Sequence, residues 1–265
     1  MRVQPVERID MCTNPFFLSS MPGIPLPCGK CLECCMAHSR MWIGRIMDEA
    51  SLHDKNCCIT LTYEQTDGNL SKRDFQLFMK RLRKALSPIK IRFYCSGEYG
   101  GKGNRPHYHC IIFGWYPDDL QYYFSKKGVD FYKSKFVSDI WSRGYILVSP
   151  CSYKAVKYCA KYLTKLDKRI HDVPPFTLMS RSPGIGADSI KTEYAVTGQI
   201  FRDGKCYQIP RYYIDKLEKA GYNVDMIKAR RRFIAQSRSD EYLDPAKLAY
   251  QRHVGNEKLK RLRGG

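Results

Sequence analysis

The chain lacks several features that define large classes of protein. It has no uninterrupted run of about 18 apolar residues, so we expect no membrane span. Its N-terminus has no hydrophobic segment followed by a cleavage site, so we expect no secretion. It contains neither a P-loop nor a dinucleotide-binding glycine pattern. Nothing therefore indicates the use of ATP.

Acidic residues are also few. The 265 residues include 26 Asp and Glu against 45 Lys and Arg, which gives a formal net charge of +19. Such a balance favours a polyanionic partner. The length fits one large domain with appendages, or two small domains.

Cysteine, in contrast, is abundant, with twelve residues. Adjacent pairs such as Cys57-Cys58 lie inside predicted strands or helices, where reduced thiols serve as small apolar side chains. The exception is an N-terminal cluster in which Cys28, Cys31 and Cys34 form a C-x2-C-x2-C pattern. This spacing suits one tetrahedral Zn²⁺, with Cys12 as the predicted fourth ligand and Cys35 as its competitor. The alternative is a group of buried thiols without a metal.

Two histidines two residues apart are the main candidates for a functional site. They lie in the segment RPHYHCIIFG, residues 105–114. In a strand, the two-residue repeat places His107 and His109 side by side on one face. Neighbouring imidazoles suit a divalent metal. The alternative is one histidine packed in the core and one at the surface.

A carboxylate upstream could complete this site. Residues 92–98 read as a strand, and a glycine-rich connection leads from it to the histidine strand. An antiparallel return could bring Glu98 close to the imidazoles. One carboxylate and two imidazoles leave coordination positions open, as catalytic metal sites do. The alternative pairs Glu98 with Arg105.

A second candidate segment begins at Ser152, which is a plausible helix N-cap. Its apolar positions repeat at helical spacing: Val156, Cys159, Ala160 and Leu163. A second stripe with the same spacing comprises Tyr158, Lys161, Tyr162 and Lys165. Two phenols then lie one turn apart with an ammonium group beside them. The alternative is a surface helix of tyrosines and lysines.

The remaining pattern predicts a mixed α+β chain. Residues 56–63 read as a strand with Thr60 and Thr62 on one face, and Ser71 as the cap of a helix. The other predicted elements are a helix over 37–52, a helix-rich stretch over 117–143, a strand over 145–148, a Pro/Gly-rich loop over 174–186, a hairpin over 194–210 turning at Asp203-Gly204, and a basic helical segment from 211 whose end is disordered in isolation.

The order of these parts resembles a known family. A threonine-bearing strand, the His-Tyr-His strand and the Tyr-x-x-Lys-Tyr helix follow one another as in the HUH endonucleases of rolling-circle replication. The doubled tyrosine and the segments PCGKC (27–31), GEYG (97–100), RPHYH (105–109) and SRSPGIG (180–186) are similar to the replication initiators of microviruses, in their gokushovirus branch. The resemblance covers about residues 12 to 213 and rests on several motifs in one order.

The resemblance implies an α+β fold, with an HUH-type central antiparallel sheet flanked by helices. It implies a Cys-rich N-terminal module (1–40), a nickase domain (41–213) and a basic tail (214–265). By motif match, His107, His109 and Glu98 hold Mg²⁺ or Mn²⁺, and Tyr158 and Tyr162 are nucleophiles. We further expect Lys161 to stabilise a phenolate, and five side chains to contact DNA: Thr60, Thr62, Arg105, Lys165 and Arg181. Cys35 replaces a basic residue expected after the cysteine triplet, which leaves the choice of zinc ligands open.

The implied function is nicking of single-stranded origin DNA by a tyrosine. The attack leaves a 5′-phosphotyrosine and a free 3′-OH primer, and a second attack rejoins the strand into a circle. The expected partners are single-stranded viral DNA and its origin, with host DNA polymerase and helicase, in the bacterial cytoplasm. Two alternatives remain open: a non-catalytic, zinc-containing DNA-binding regulator, and a single-tyrosine transposase or relaxase with the same chemistry.

Overall fold

A computed structural model of the chain describes residues 12–100, 103–160, 172–202, 205–237 and 244–263. The chain divides into two compact units: residues up to Met41 together with those from Ile190 onward, and Trp42–Ser189. The predicted domain boundaries after residues 40 and 213 stay predictions. The described elements in chain order are β1 (Phe16–Leu18), β2 (Met21–Leu26), α1 (Leu32–Ala50), β3 (Asn56–Tyr63), α2 (Lys72–Ala85), β4 (Arg92–Tyr99), β5 (Pro106–Phe113), β6 (Leu120–Lys126), β7 (Val129–Ser134), α3 (Lys135–Trp141), β8 (Gly144–Pro150), α4 (Tyr153–Cys159), β9 (Phe176–Met179), α5 (Glu193–Thr197), β10 (Gln199–Arg202), β11 (Lys205–Gln208), α6 (Arg211–Lys219), α7 (Asp225–Ser237) and α8 (Pro245–Arg263).

The second unit is built on an antiparallel sheet. Within the described residues its strand order is β6-β7-β8-β3-β5-β4-β9. Every neighbouring pair runs antiparallel. The α+β class with a central antiparallel sheet and flanking helices is therefore confirmed.

Helices cover both faces of this sheet because each face carries apolar side chains. On one face, Ile59, Leu61 and Ile112 are buried against α2 and α3. On the other face, Cys58, Ile111 and Phe113 are buried against α1 and α4. Since alternate residues of a strand point to opposite faces, His107 and His109 share the second face with Ile111 and Phe113. We call this second face the site face.

Two helix starts agree with the sequence prediction. Ser71 Oγ accepts a hydrogen bond from the N–H of Asp74 at 3.1 Å, and α2 begins at the next residue. Ser152 Oγ accepts from the N–H of Ala155 at 3.3 Å, and α4 begins after it. A side-chain oxygen at this position satisfies one of the N–H groups that lack a partner in the first turn. These caps fix where the helix carrying Tyr158 begins.

Two predictions were wrong. The stretch over 117–143 is not mainly helical, since it forms the β6–β7 hairpin before the short α3. Its tyrosines and phenylalanines favour strands, and Lys127 and Gly128 both have positive φ, at 52° and 72°. The predicted loop over 174–186 contains β9, which pairs with β4 at the sheet edge.

The first unit contains the remaining helices and a second small core. Residues 199–202 and 205–208 pair as the predicted hairpin, whereas residues 193–197 form α5, and the predicted turn at Asp203-Gly204 lies outside the described residues. The segment expected to be disordered in isolation is helical as far as Arg263. The α8 side chain of Arg252 donates to the carbonyl oxygen of Thr13 at 2.8 Å. In the described part of the chain, no helix has the length and apolar character needed to cross a bilayer.

Candidate metal and tyrosine site

The register of β4 against β5 brings Glu98 to the two histidines. Glu98 lies directly opposite His107, and Ser96 opposite His109. Glu98 Oε1 is 3.4 Å from His107 Nε2 and 3.1 Å from His109 Nε2. The two imidazole rings are 4.7 Å apart and nearly perpendicular, at 81°. One ligand atom from each of these three residues lies within 4.8 Å of the other two, so a single ion could bind all three.

The other ring nitrogens are held by neighbouring groups. His107 Nδ1 is 3.1 Å from the carbonyl oxygen of Arg105. A carbonyl oxygen only accepts, so Nδ1 carries the proton and Nε2 presents its lone pair. His109 Nδ1 is 3.1 Å from Thr60 Oγ1 on the adjacent strand β3. Such outer partners fix the orientation of metal-binding imidazoles.

Charge in this group is balanced in favour of an anionic Glu98. Burial alone would raise the pKa of Glu98, but its close contacts with His107 and His109 lower that pKa to about 2. Burial would lower the pKa of His107, but Glu98 and the Arg105 carbonyl raise it above its usual range. Burial lowers the pKa of His109, and Glu98 offsets this only in part. A neutral His109 has the protonation state that a metal ligand requires.

One atom in the site lacks a proper partner. His109 Nε2 is buried, and among the described residues no group meets hydrogen-bond geometry with it, although Glu98 Oε1 is near. A buried polar atom without a hydrogen bond is costly, typically by about 1–3 kcal/mol. A cation bound between Glu98, His107 and His109 would satisfy this nitrogen. The donor set of one carboxylate and two imidazoles therefore fits a divalent ion with open positions.

Tyr158 lies beside this group. The α4 helix packs on β5, and the ring of Tyr158 meets the ring of His109 edge-on, with centroids 4.7 Å apart and an interplanar angle of 87°. The side chain remains exposed, at 54% of its full accessibility, so a substrate can reach it. Burial of part of the ring and the charge of Glu98 raise the pKa of Tyr158. Tyr162, Lys161 and Lys165 lie outside the described residues.

The structure gives the other predicted DNA contacts different surroundings. Thr62 stands on the site face, opposite His107 on one side and Tyr145 on the other. Thr60 is bonded to His109, a positioning role that the sequence did not indicate, because only the register of β3 against β5 reveals it. Arg105 does not pair with Glu98: it donates to the Tyr63 carbonyl oxygen at 3.4 Å. Arg181 is exposed in the turn after β9.

Four cysteines of the first unit form a separate group. The sulfur atoms of Cys12, Cys28, Cys31 and Cys34 all lie within 4.8 Å of one another. The backbone N–H of Cys28 points to Cys12 Sγ at 3.2 Å, and that of Cys31 to Cys28 Sγ at 3.3 Å. Backbone donors of this kind stabilise thiolates.

The competing ligand lies outside this group. The thiol of Cys35 contacts the carbonyl oxygen of Lys30 at 3.9 Å instead. Within the group, hydrogen bonds from Cys12 and Cys34 lower the pKa of Cys31, whereas the shared bond with Cys31 raises the pKa of Cys12 to about 11. Four sulfur atoms with anionic character suit a closed tetrahedral metal site, for which zinc is the usual ion.

Comparison with known proteins agrees with this arrangement. A family model described as replication-associated protein ORF2 matches residues 56–167, which include Glu98, His107, His109 and Tyr158. No solved structure matches significantly.

Three phage proteins are similar over most of the chain. Replication-associated protein VP4 of Bdellovibrio phage phiMH2K is 30% identical over 267 residues, covering 91% of this chain and 85% of that protein. Replication-associated protein ORF4 of Chlamydia phage 1 is 33% identical over 217 residues, covering 74% of this chain and 54% of that protein. Replication-associated protein ORF2 of Spiroplasma virus 4 is 28% identical over 281 residues, covering 96% and 86%. The chain therefore belongs to the family of phage replication-associated proteins, as an initiator of the microvirus type.

Proposed function

We propose that this initiator nicks and rejoins single-stranded or melted origin DNA during rolling-circle replication. The observation that carries the proposal is the contact between Tyr158 and His109 beside the Glu98, His107 and His109 group. A phenol next to a cation site is what transesterification of a phosphodiester requires. The basic charge of the chain suits the polyanionic substrate.

Glu98, His107 and His109 would hold Mg²⁺ or Mn²⁺. When bound, such an ion polarises a nonbridging phosphate oxygen and offsets the charge that develops as the ester bond breaks. Thr60 keeps the His109 ring oriented, and the Arg105 carbonyl does the same for His107. The four-cysteine group would hold a structural Zn²⁺, since a full set of four sulfur ligands leaves no open position for chemistry.

Tyr158 is the proposed nucleophile. Its oxygen attacks the phosphorus, a new bond forms between the phenol oxygen and phosphorus, and the bond from phosphorus to the 3′ oxygen breaks. The products are a 5′-phosphotyrosine and a 3′ hydroxyl that takes up a proton. The raised pKa keeps the phenol protonated near neutral pH. Neutralising Glu98 would remove one cause of that raised pKa, and Lys161 would stabilise the phenolate once the proton leaves.

Tyr162 is the proposed second nucleophile, one helical turn further along the chain. Its attack on the regenerated origin would free the 3′ end that then displaces Tyr158 and closes the circle. Each step exchanges one phosphodiester for another, so no nucleotide is consumed. Host DNA polymerase would extend the 3′ hydroxyl and a host helicase would open the duplex, in the cytoplasm of the bacterial host.

Replacement of both tyrosines tests this function. The protein is incubated with single-stranded viral DNA and Mg²⁺ or Mn²⁺, and adducts are counted on a denaturing gel. Y158F combined with Y162F should abolish the adduct, whereas each single variant keeps part of the activity. Y153F, which changes an exposed phenol in the same helix, is the matched control. An undiminished adduct in the double variant would refute the proposal.

The second candidate function is a non-catalytic, zinc-containing DNA-binding regulator. The four-thiol group and the net charge of +19 favour it. It predicts DNA binding without any metal-dependent, covalently trapped product. A single-tyrosine transposase or relaxase would give the adduct, but each molecule would complete only one strand transfer, which counting of transfers per molecule detects.

A further inference from the structure

The site face continues beyond the histidines to the opposite edge of the sheet. His109 is paired with Thr60, and Thr60 with Leu147 of β8. Tyr132 of β7 lies opposite Val148, so alternation along antiparallel strands puts Lys133 opposite Leu147. Gln121 of β6 follows, opposite Lys133. One row of the sheet thus leads from His109 to Lys133 on a single face.

An aromatic ring lies over the end of this row. Lys133 Nζ is 4.0 Å from the centre of the Tyr123 ring. Tyr123 is 52% exposed and touches Phe124, whose ring stacks on Phe131 at 4.9 Å. The irregular register between Tyr122 and Phe124 is what brings Tyr123 to this side. Tyr123 is therefore an exposed ring held by a cation and two packed aromatics.

The neighbouring residue faces the other way. Tyr122 is also exposed, at 64%, but it pairs with Tyr132, and their rings meet at 6.0 Å. Tyr132 packs against the core on the face opposite the site. Two adjacent exposed tyrosines thus stand on opposite faces of one strand, which offers a matched pair for experiments.

The surroundings of Tyr123 are basic. Lys126 and Lys127 at the hairpin turn are exposed, and Lys154 at the start of α4 reaches this turn. Its Nζ is 3.7 Å from the position that a Cβ on Gly128 would occupy. The acidic residue of the hairpin, Asp130, lies opposite Ser125 and alternates with Phe131 onto the other face. Ammonium groups around an exposed ring suit an unpaired nucleotide, since phosphate meets charge while a base stacks.

We propose that Tyr123 and Lys133 form a stacking platform for single-stranded DNA on the site face. The inference rests on the proposed function, because it treats the row from His109 as the path of the substrate. Three strand spacings separate β5 from β7, which is about 14 Å. A single strand covers this distance in about four nucleotides at a stacked rise of ~3.4 Å. The platform would bind the strand near the scissile phosphate and favour unpaired over duplex DNA, because only an unpaired base offers a free face.

The test compares Y123A with Y122A in the full-length protein. Binding of a fluorescent single-stranded origin oligonucleotide and of its duplex is measured by anisotropy, without added Mg²⁺ or Mn²⁺ so that no cleavage is supported. Stacking of one base predicts about five- to hundredfold weaker single-strand binding for Y123A. Y122A should stay within about twofold, and Y123W should restore binding. K133A should lower the slope of log affinity against log salt by about 0.7.

Two results would overturn the platform: equal single-strand affinity for Y123A and Y122A, or equal losses on single-stranded and duplex DNA. The first would also be the result if the hairpin instead docked an acidic protein. Matching thermal unfolding of the two variants shows that folding is not the cause. The adduct assay separates this inference from the nickase proposal. If Y123A binds normally while the wild type forms adducts, only the platform fails. If Y123A loses single-strand binding while the wild type forms none, only the nickase fails.

Discussion

Tyr158 meets His109 edge-on, with ring centroids 4.7 Å apart. The contact joins two elements that are distant in sequence, since the helix of Tyr158 begins only after three further strands and a helix have followed the histidine strand. It places an exposed phenol at the rim of a buried carboxylate and imidazole group. The predictions below separate the roles of the groups around this contact.

Removal of a metal ligand should separate cleavage from DNA binding. H107A should lose metal-dependent cleavage, because Glu98 and His109 alone leave a two-ligand site. Single-strand affinity should change by no more than about threefold, since phosphate contacts by Lys and Arg supply most of that binding. The measurements are adduct yield against Mn²⁺ concentration and anisotropy without metal. H253A, which removes an exposed histidine in α8, should match the wild type in both.

Thr60 should act through His109. T60V keeps the shape of the side chain but removes the hydroxyl at 3.1 Å from His109 Nδ1. Loss of an outer partner typically lowers metal affinity by about 10- to 100-fold. Calorimetric titration with Mn²⁺ measures this loss, and saturating Mn²⁺ should rescue cleavage. T62V, a matched change two residues along the strand, should leave Mn²⁺ affinity close to that of the wild type. Equal Mn²⁺ affinities for T60V and the wild type would exclude the positioning role.

Cys12 and Cys35 should differ in zinc content. Elemental analysis of purified wild type should find one Zn²⁺ per chain, and C12S should lose most of it because one of the four clustered sulfur atoms is removed. C35S should keep its zinc, since the Cys35 thiol faces the Lys30 carbonyl instead. Loss of zinc from C35S but not from C12S would contradict the assignment.

Glu49 should make stability depend on pH. Its buried carboxylate accepts hydrogen bonds from Arg92 Nη2 at 3.4 Å and from the N–H of Gly186 at 2.7 Å, and lies 3.2 Å from His53 Nε2. Burial alone would raise the pKa of Glu49, but these partners, above all Arg92, lower it. A depressed folded-state pKa stabilises the fold above the unfolded value, about 4.3, and this stabilisation is lost as pH falls through the folded-state pKa.

E49Q should therefore lower the free energy of unfolding at pH 7 by about 3–5 kcal/mol, because Arg92 loses its charged partner. The difference from the wild type should shrink as pH falls below about 4.3. Urea titrations at several pH values measure both effects. D54N, which changes an exposed carboxylate, should shift the free energy by no more than about 0.5 kcal/mol. A pH-independent difference for E49Q would rule out the linkage.

Local chemistry in the sequence determined several parts of this protein. The two-residue repeat of a strand put His107 and His109 on one face, and hydroxyls at Ser71 and Ser152 marked where helices begin. These features depend only on neighbours in the chain, through backbone geometry and nearby N–H groups. The α+β class and the membership of the family followed from the order of such local patterns.

Only the tertiary structure decided which distant groups meet. Strand register set Glu98 beside both imidazoles and Thr60 on His109 Nδ1, and a shift of one residue would turn each side chain to the other face. Chain return, which no spacing specifies, chose Cys12 over Cys35 for the thiol group. The β6–β7 hairpin was missed because an aromatic-rich stretch fits a helix or a strand until the sheet edge is present to pair with it.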